Sequence, residues 1–139
     1  MHFRHLLIPV ASEADATVTC HALSGHLDDV DRVTAVHVIE KAGGAIDKAP
    51  LEKRKDDSAD ILEAVEDALD DRVRVETDRY YGTDVAETIF EAADDVDADA
   101  VAFRARGGSR IARLLAGDVS TRLVTDPAVP VVSLPEPAE

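Results

Sequence analysis

The stretch Arg104-Ala105-Arg106-Gly107-Gly108-Ser109-Arg110-Ile111-Ala112-Arg113-Leu114-Leu115-Ala116-Gly117-Asp118-Val119-Ser120 holds the residue types best suited to gripping an anion. Four arginines precede its only acid, and they do so in a chain whose formal charge is −14. Guanidinium groups offer fixed forks of charged donors. Gly107 and Gly108 lack a Cβ, so their backbone amides can approach an anion closely. A helix beginning near Gly117 would add free N–H groups and the positive end of its dipole. The pattern suits a phosphate or other anion site. It equally suits a plainer role, with arginines paired to surface carboxylates and glycines serving turns, and the residues alone leave both open.

Other chemistries find less support. His2, His5, His21, His26 and His37 lack a close ligand spacing with carboxylates, and His37 reads as a core or rim residue of a strand. Ser12, Ser109 and Ser120 have no recognisable base or nucleophile-elbow context. Cys20 is the one cysteine, so an internal disulfide and a multi-cysteine metal site are both excluded. It reads as a small buried hydrophobe. Tyr80-Tyr81 suits a sheet edge or an interface. A phosphoacceptor domain would need an acidic cluster after the first strand and an Asp ending the third. Ala11-Ser12 and Tyr80-Tyr81 stand there instead.

The elements that must position the arginine-rich loop follow from hydropathy. Leu6 to Val10 is continuously apolar, as in a parallel strand buried on both faces. Ser12 is a plausible N-cap, and Ala16, Cys20, Leu23 and Leu27 then recur at helical spacing. Val33 to Ile39 is a β-branched strand. Glu40 to Lys55 shows no period and contains Gly43-Gly44 and Pro50, so it reads as a loop or a partly ordered lead into a helix. Ile61, Leu62, Val65, Ala68 and Leu69 form an apolar stripe. Arg72 to Tyr80 alternates like an edge strand exposed on one face. Gly82 and Thr83 turn the chain, with Thr83 as cap for a helix whose buried face is Val85, Ile89, Ala92, Ala93 and Val96. Ala98 to Phe103 is a fourth strand, Gly117 to Val124 a fourth helical stretch, and Val129 to Leu134 a last strand. Alternation of strands and helices predicts an α/β domain, a parallel sheet with helices on both faces, spanning residues 1–139 as one unit. Ligands in such sheets bind past the carboxyl ends of the strands, where strand order reverses.

Composition narrows the function classes. Of 139 residues, 45% are hydrophobic and 32% charged, which suits one folded core beneath a very charged surface. No window reaches the roughly 18 apolar residues of a spanning helix, and no signal peptide is recognisable, so a cytoplasmic setting without membrane embedding is expected. The acids lean to Asp and the lysines are only Lys41, Lys48, Lys53 and Lys55. Such a surface suits a halophilic cytoplasm at molar salt, where the Debye length falls to about 3 Å. Nucleic acid is disfavoured as a partner, because its phosphates repel this charge.

Three segments carry a resemblance to the universal stress protein family: Ile8-Pro9-Val10, Leu114 to Leu123, and Asp126-Pro127-Ala128-Val129-Pro130-Val131-Val132. The resemblance implies a three-layer Rossmann-like α/β/α fold, akin to adenine nucleotide alpha hydrolases, with five parallel strands ordered 3-2-1-4-5. It also implies dimerisation through the last strand. ATP-binding members carry a loop G-x2-G-x9-G-[ST]. Gly107 and Gly117 match its second and third glycines. Arg104 replaces the first glycine and Asp118 replaces the hydroxyl residue, while Ala11 stands where the family places an Asp that helps hold the nucleotide. A carboxylate at 118 would repel a phosphate charge 4 Å away by about 4 kcal/mol at an effective dielectric of about 20. An Arg104–Asp118 pair would fill the phosphate pocket from within.

The resemblance thus implies a non-enzymatic stress-response module binding a nucleotide, ATP or AMP, or another small anion, with ATP affinity reduced. Pro9, Val10, Ala11 and Val38 would line the base and ribose side. Arg104, Gly107, Gly108, Ser109, Gly117, Val119 and Ser120 would line the phosphate side. The alternative is an interaction module with a collapsed pocket that regulates a protein partner such as a transporter. Slow ATP hydrolysis lacks an identifiable catalytic base.

Overall fold

The computed structural model describes residues 3–40, 48–103 and 128–134, with backbone only at 40, 48–55 and 133. In chain order the elements are β1 (Phe3–Pro9), α1 (Glu13–Ser24), a short 3-10 turn (Leu27–Asp29), β2 (Val30–Glu40), α2 (Lys48–Leu69), β3 (Arg74–Gly82), α3 (Val85–Asp95), β4 (Ala100–Phe103) and β5 (Val131–Ser133). The sheet order is β3-β2-β1-β4-β5, and all its pairings are parallel. The expected fourth helical stretch, Gly117 to Val124, lies outside the described residues, as does the arginine-rich loop.

Alternation along the central strands builds two cores. Leu6, Ile8, Val33, Ala35, Ala100 and Ala102 point to one face and pack beneath α1 and α2, against Cys20, Leu23, Val65 and Leu69. Leu7, Val36, Val38, Val101 and Phe103 point to the other face, beneath Ala86, Ile89, Ala92 and Ala93 of α3. Burial on both faces explains why β1 and β4 read as unbroken apolar runs. The third strand is an edge strand of alternating exposure, as its sequence predicts. Tyr80 ties it to α3: its hydroxyl donates to Asp95 Oδ2 at 3.1 Å, and burial followed by that acceptor raises its pKa to about 12. Cys20 is buried, and burial pushes its thiol up to about 12, so it is inert as a nucleophile at neutral pH.

Several boundaries differ from the sequence expectation. The second helix starts at Lys48, inside the stretch read as loop. Pro50 then falls in the first turn, where its missing N–H has no intrahelical partner to lose. Ala68 is exposed, and Ala64 packs on the core instead. The cap of α3 is Asp84 rather than Thr83, its carboxylate accepting from Glu87 N at 3.1 Å. Gly82 belongs to β3, and it must be glycine-sized. A Cβ there would lie 2.0 Å from Thr88 Oγ1, which is itself tied to Asp84 O.

At the amino-terminal edge of the sheet, buried His5 accepts from Arg32 Nη2 at 2.9 Å through Nδ1 and meets Thr34 Oγ1 through Nε2. Arginine can only donate, so the ring is neutral with its proton on Nε2. Burial and then the Arg32 charge lower the His5 pKa, against a backbone contact to Val96 and the charges of Glu76 and Asp99. A depressed histidine pKa means the unfolded chain takes up the proton first. The His5 contribution is therefore complete above about pH 6.5 and is lost as pH falls below it. Urea titrations at pH 7.5 and 5.5 should show wild type losing more stability between the two than His5→Gln does.

Candidate functional site

A cleft of about 480 Å³ opens past the carboxyl ends of β1 and β2, between α1, α2 and α3. This is the end of the sheet where strand order reverses, since β1 sits between β2 and β4. The chain leaves β1 through Pro9 and buried Val10, whose amide donates to Val36 O at 2.9 Å. That bond ties the exit of β1 to the middle of β2, which runs on to Glu40. The turn into α1 is fixed twice: Ser12 Oγ accepts from Asp15 N at 3.0 Å, and buried Asp15 reaches back with Oδ2 to Ala11 N at 2.7 Å. Asp15 Oδ1 also accepts from Thr19 Oγ1 at 3.3 Å. A buried carboxylate is thus spent on rigidifying residues 11–12.

The floor is Val38 and Ile39 at the end of β2, both buried, beside His37. His37 Nδ1 and Ser58 Oγ are hydrogen-bonded at 2.8 Å, which joins β2 to α2 beneath the cleft. Ala11, Ser12 and Glu13 form one wall, Asp57, Asp60 and Ile61 of α2 a second, and Val85 a third. The starts of α1 and α3 both border the space, so two helix dipoles present their positive ends to it. The aliphatic floor suits a flat apolar group. The polar rim suits hydroxyls.

Of the site residues predicted from sequence, Pro9, Val10, Ala11 and Val38 come together at these strand ends, with Ala11 and Val38 facing the cleft. Arg104, Gly107, Gly108, Ser109, Gly117, Val119 and Ser120 lie outside the described residues. The α2 wall and the His37–Ser58 pair were not anticipated. His37 read only as a core or rim residue, and it is both: 8% exposed, yet bordering the cleft. Among the described residues, no cluster of His, Cys, Asp and Glu is arranged to hold a metal.

The family model described as the universal stress protein family matches residues 2–135. The chain belongs to that family. No curated protein matches it, whereas solved structures do. The universal stress protein from Archaeoglobus fulgidus in complex with dAMP is 19% identical at a TM-score of 0.64, covering 97% of this chain and 100% of that one. A universal stress protein family protein from Arabidopsis thaliana with AMP bound is 20% identical at a TM-score of 0.65, covering 94% and 90%. A universal stress protein in complex with cAMP is 16% identical at a TM-score of 0.65, covering 98% and 99%. At these identities the likeness establishes the fold. As a universal stress protein, this chain has the five-stranded order 3-2-1-4-5 that the family resemblance implied. Among the described residues no helix is long and apolar enough to cross a membrane.

Proposed function

We propose that this universal stress protein binds a small adenine nucleotide or related anion in the cleft past β1 and β2 and acts as a regulatory module rather than an enzyme. The observation that carries this reading is the cleft itself. It lies at the switch in strand order and pairs an aliphatic floor at Val38 and Ile39 with two helix N-termini. Relatives of the same fold bind dAMP, AMP and cAMP. The base would lie on Val38, with the ribose beside Ala11. Arg104, Gly107, Gly108, Ser109, Gly117, Val119 and Ser120 would supply the phosphate side.

ATP affinity is reduced in this reading. Ala11 offers no carboxylate to a ribose, Asp118 repels the terminal phosphates, and Glu13, Asp57 and Asp60 add negative charge at the rim. The setting is a halophilic cytoplasm. The assembly is a homodimer through the last strand, where β5 forms the edge of the sheet.

A thermal-shift titration in molar KCl with AMP, ATP and sulfate tests the reading. AMP should raise Tm saturably and more than ATP does, and Gly117→Val should abolish the shift. No shift with any of the three would favour a module with a collapsed pocket acting on a protein partner.

A further inference from the structure

The opposite edge of the sheet holds a second cavity, of about 680 Å³, bounded by the starts of β1, β2 and β3 and by the carboxyl end of α3. Its floor carries an unusual pairing. Arg32 of β2 and Arg74 of β3 are register partners, so two guanidinium stems rise side by side from adjacent parallel strands. Like charges directly opposite each other destabilise a sheet. In a chain with 29 acids and 15 bases, acidic partners are plentiful and such a pair is not forced by composition.

The pair is also under-compensated. Arg32 Nη2 is spent on His5 Nδ1 at 2.9 Å. Its Nε is shielded from solvent and has no hydrogen-bond partner among the described residues; Glu76 Oε1 stands 3.5 Å away, beyond a good hydrogen bond. Arg74 forms no ion pair among the described residues, and Asp31, the carboxylate next to Arg32 in the cavity lining, is engaged in a contact of its own. A shielded N–H without an acceptor calls for one. His5, held neutral between Thr34 and Arg32, keeps the Arg32 head in place.

The facing wall has the other sign. The third helix ends in a left-handed Asp97 (φ 56°), closed by Ala98 N on Ala93 O at 2.9 Å and Asp97 N on Asp94 O at 3.2 Å. Its dipole therefore presents its negative end here, reinforced by Asp94 and Asp97. Asp99 is already engaged, accepting from Arg4 N at 2.7 Å and pairing with the Arg4 guanidinium at 3.5 Å. A simple anion would meet these acids, and a simple cation would meet the arginines.

We propose that this edge binds a small zwitterion, its carboxylate on the Arg32–Arg74 pair and its ammonium group toward Asp94, Asp97 and the end of α3. The cations stand on β2 and β3 and the acids at the end of α3, so a ligand that bridges them carries its two charges at the ends of a flexible chain. The site is distinct from the nucleotide cleft, at the other end of the strands.

The test is isothermal titration, at the lowest salt in which the chain stays folded, with 6-aminohexanoate, hexanoate and hexylamine. The zwitterion should bind at least tenfold more tightly than either singly charged analogue. Arg74→Gln and Asp97→Asn should each weaken it at least tenfold with Tm little changed. Arg74 and Asp97 are exposed, and Asn tolerates the left-handed backbone at position 97. Failure of 6-aminohexanoate to bind, equal binding of hexanoate, or indifference to both substitutions would overturn the proposal.

Discussion

Phe103→Ala should destabilise the chain by about 3–5 kcal/mol, a large share of the roughly 5–15 kcal/mol that a domain of this kind possesses. Phe103 is 0% exposed and heads the fully buried side chains by volume. It closes β4, where it packs with Leu7, Val36, Val38 and Ile89 beneath α3. Its carbonyl also accepts from Leu134 N at 2.7 Å, so the residue anchors the edge strand beside it. Removing the ring opens a cavity between rigid strands that cannot collapse. Urea denaturation should show the midpoint fall with little change in slope. Phe103→Leu, which keeps most of the volume, should cost less than about 1.5 kcal/mol. A loss below about 1 kcal/mol for the alanine variant would contradict this account of the α3-side core.

Ala11→Trp should lower AMP affinity by a factor of about 100 or more, or about 2.8 kcal/mol, while leaving stability within about 0.5 kcal/mol. Ala11 borders the cleft and is half-exposed, so an indole there has open space to enter. The backbone contact that shapes the turn, from Ala11 N to Asp15 Oδ2, does not depend on the side chain. Titration of AMP by calorimetry, with urea denaturation as the control, separates a filled site from an unfolded one. Unchanged affinity with intact folding would mean that AMP binds elsewhere.

The parts of this architecture that were legible in sequence are those where one physical signal dominates. Leu6 to Val10 announces a strand buried on both faces, and the alternation of β3 announces an exposed edge; both stand as expected. Strand order is different in kind, because no local pattern encodes which strands are neighbours. It came from the family resemblance, and the sheet agrees. Boundaries were missed where two residues could do the same job. Thr83 and Asp84 are both good caps, and the chain uses the second. The start of α2 was missed because residues 40–55 have no apolar period and a proline.

A smaller part of the cleft lining was legible for similar reasons. Ala11 and Val38 follow from position at strand ends, a rule of topology. The α2 wall does not, because Asp57, Asp60 and Ile61 reach the cleft only through the way α2 lies across β2. The bond from His37 to Ser58 spans 21 positions and joins a strand to a helix, so neither residue's own neighbourhood announces it. The facing arginines at the other edge were hidden too. Their proximity depends on the register of β2 against β3, which alternation alone does not determine.

The most direct measurement is an NMR experiment on methyl-labelled protein titrated with AMP in molar KCl. The account predicts saturable shifts in the methyl signals of Ala11, Val38, Ile39 and Val85, with nuclear Overhauser contacts from adenine protons to Val38. Binding without any contact to those methyls, or no binding at millimolar AMP, would contradict it.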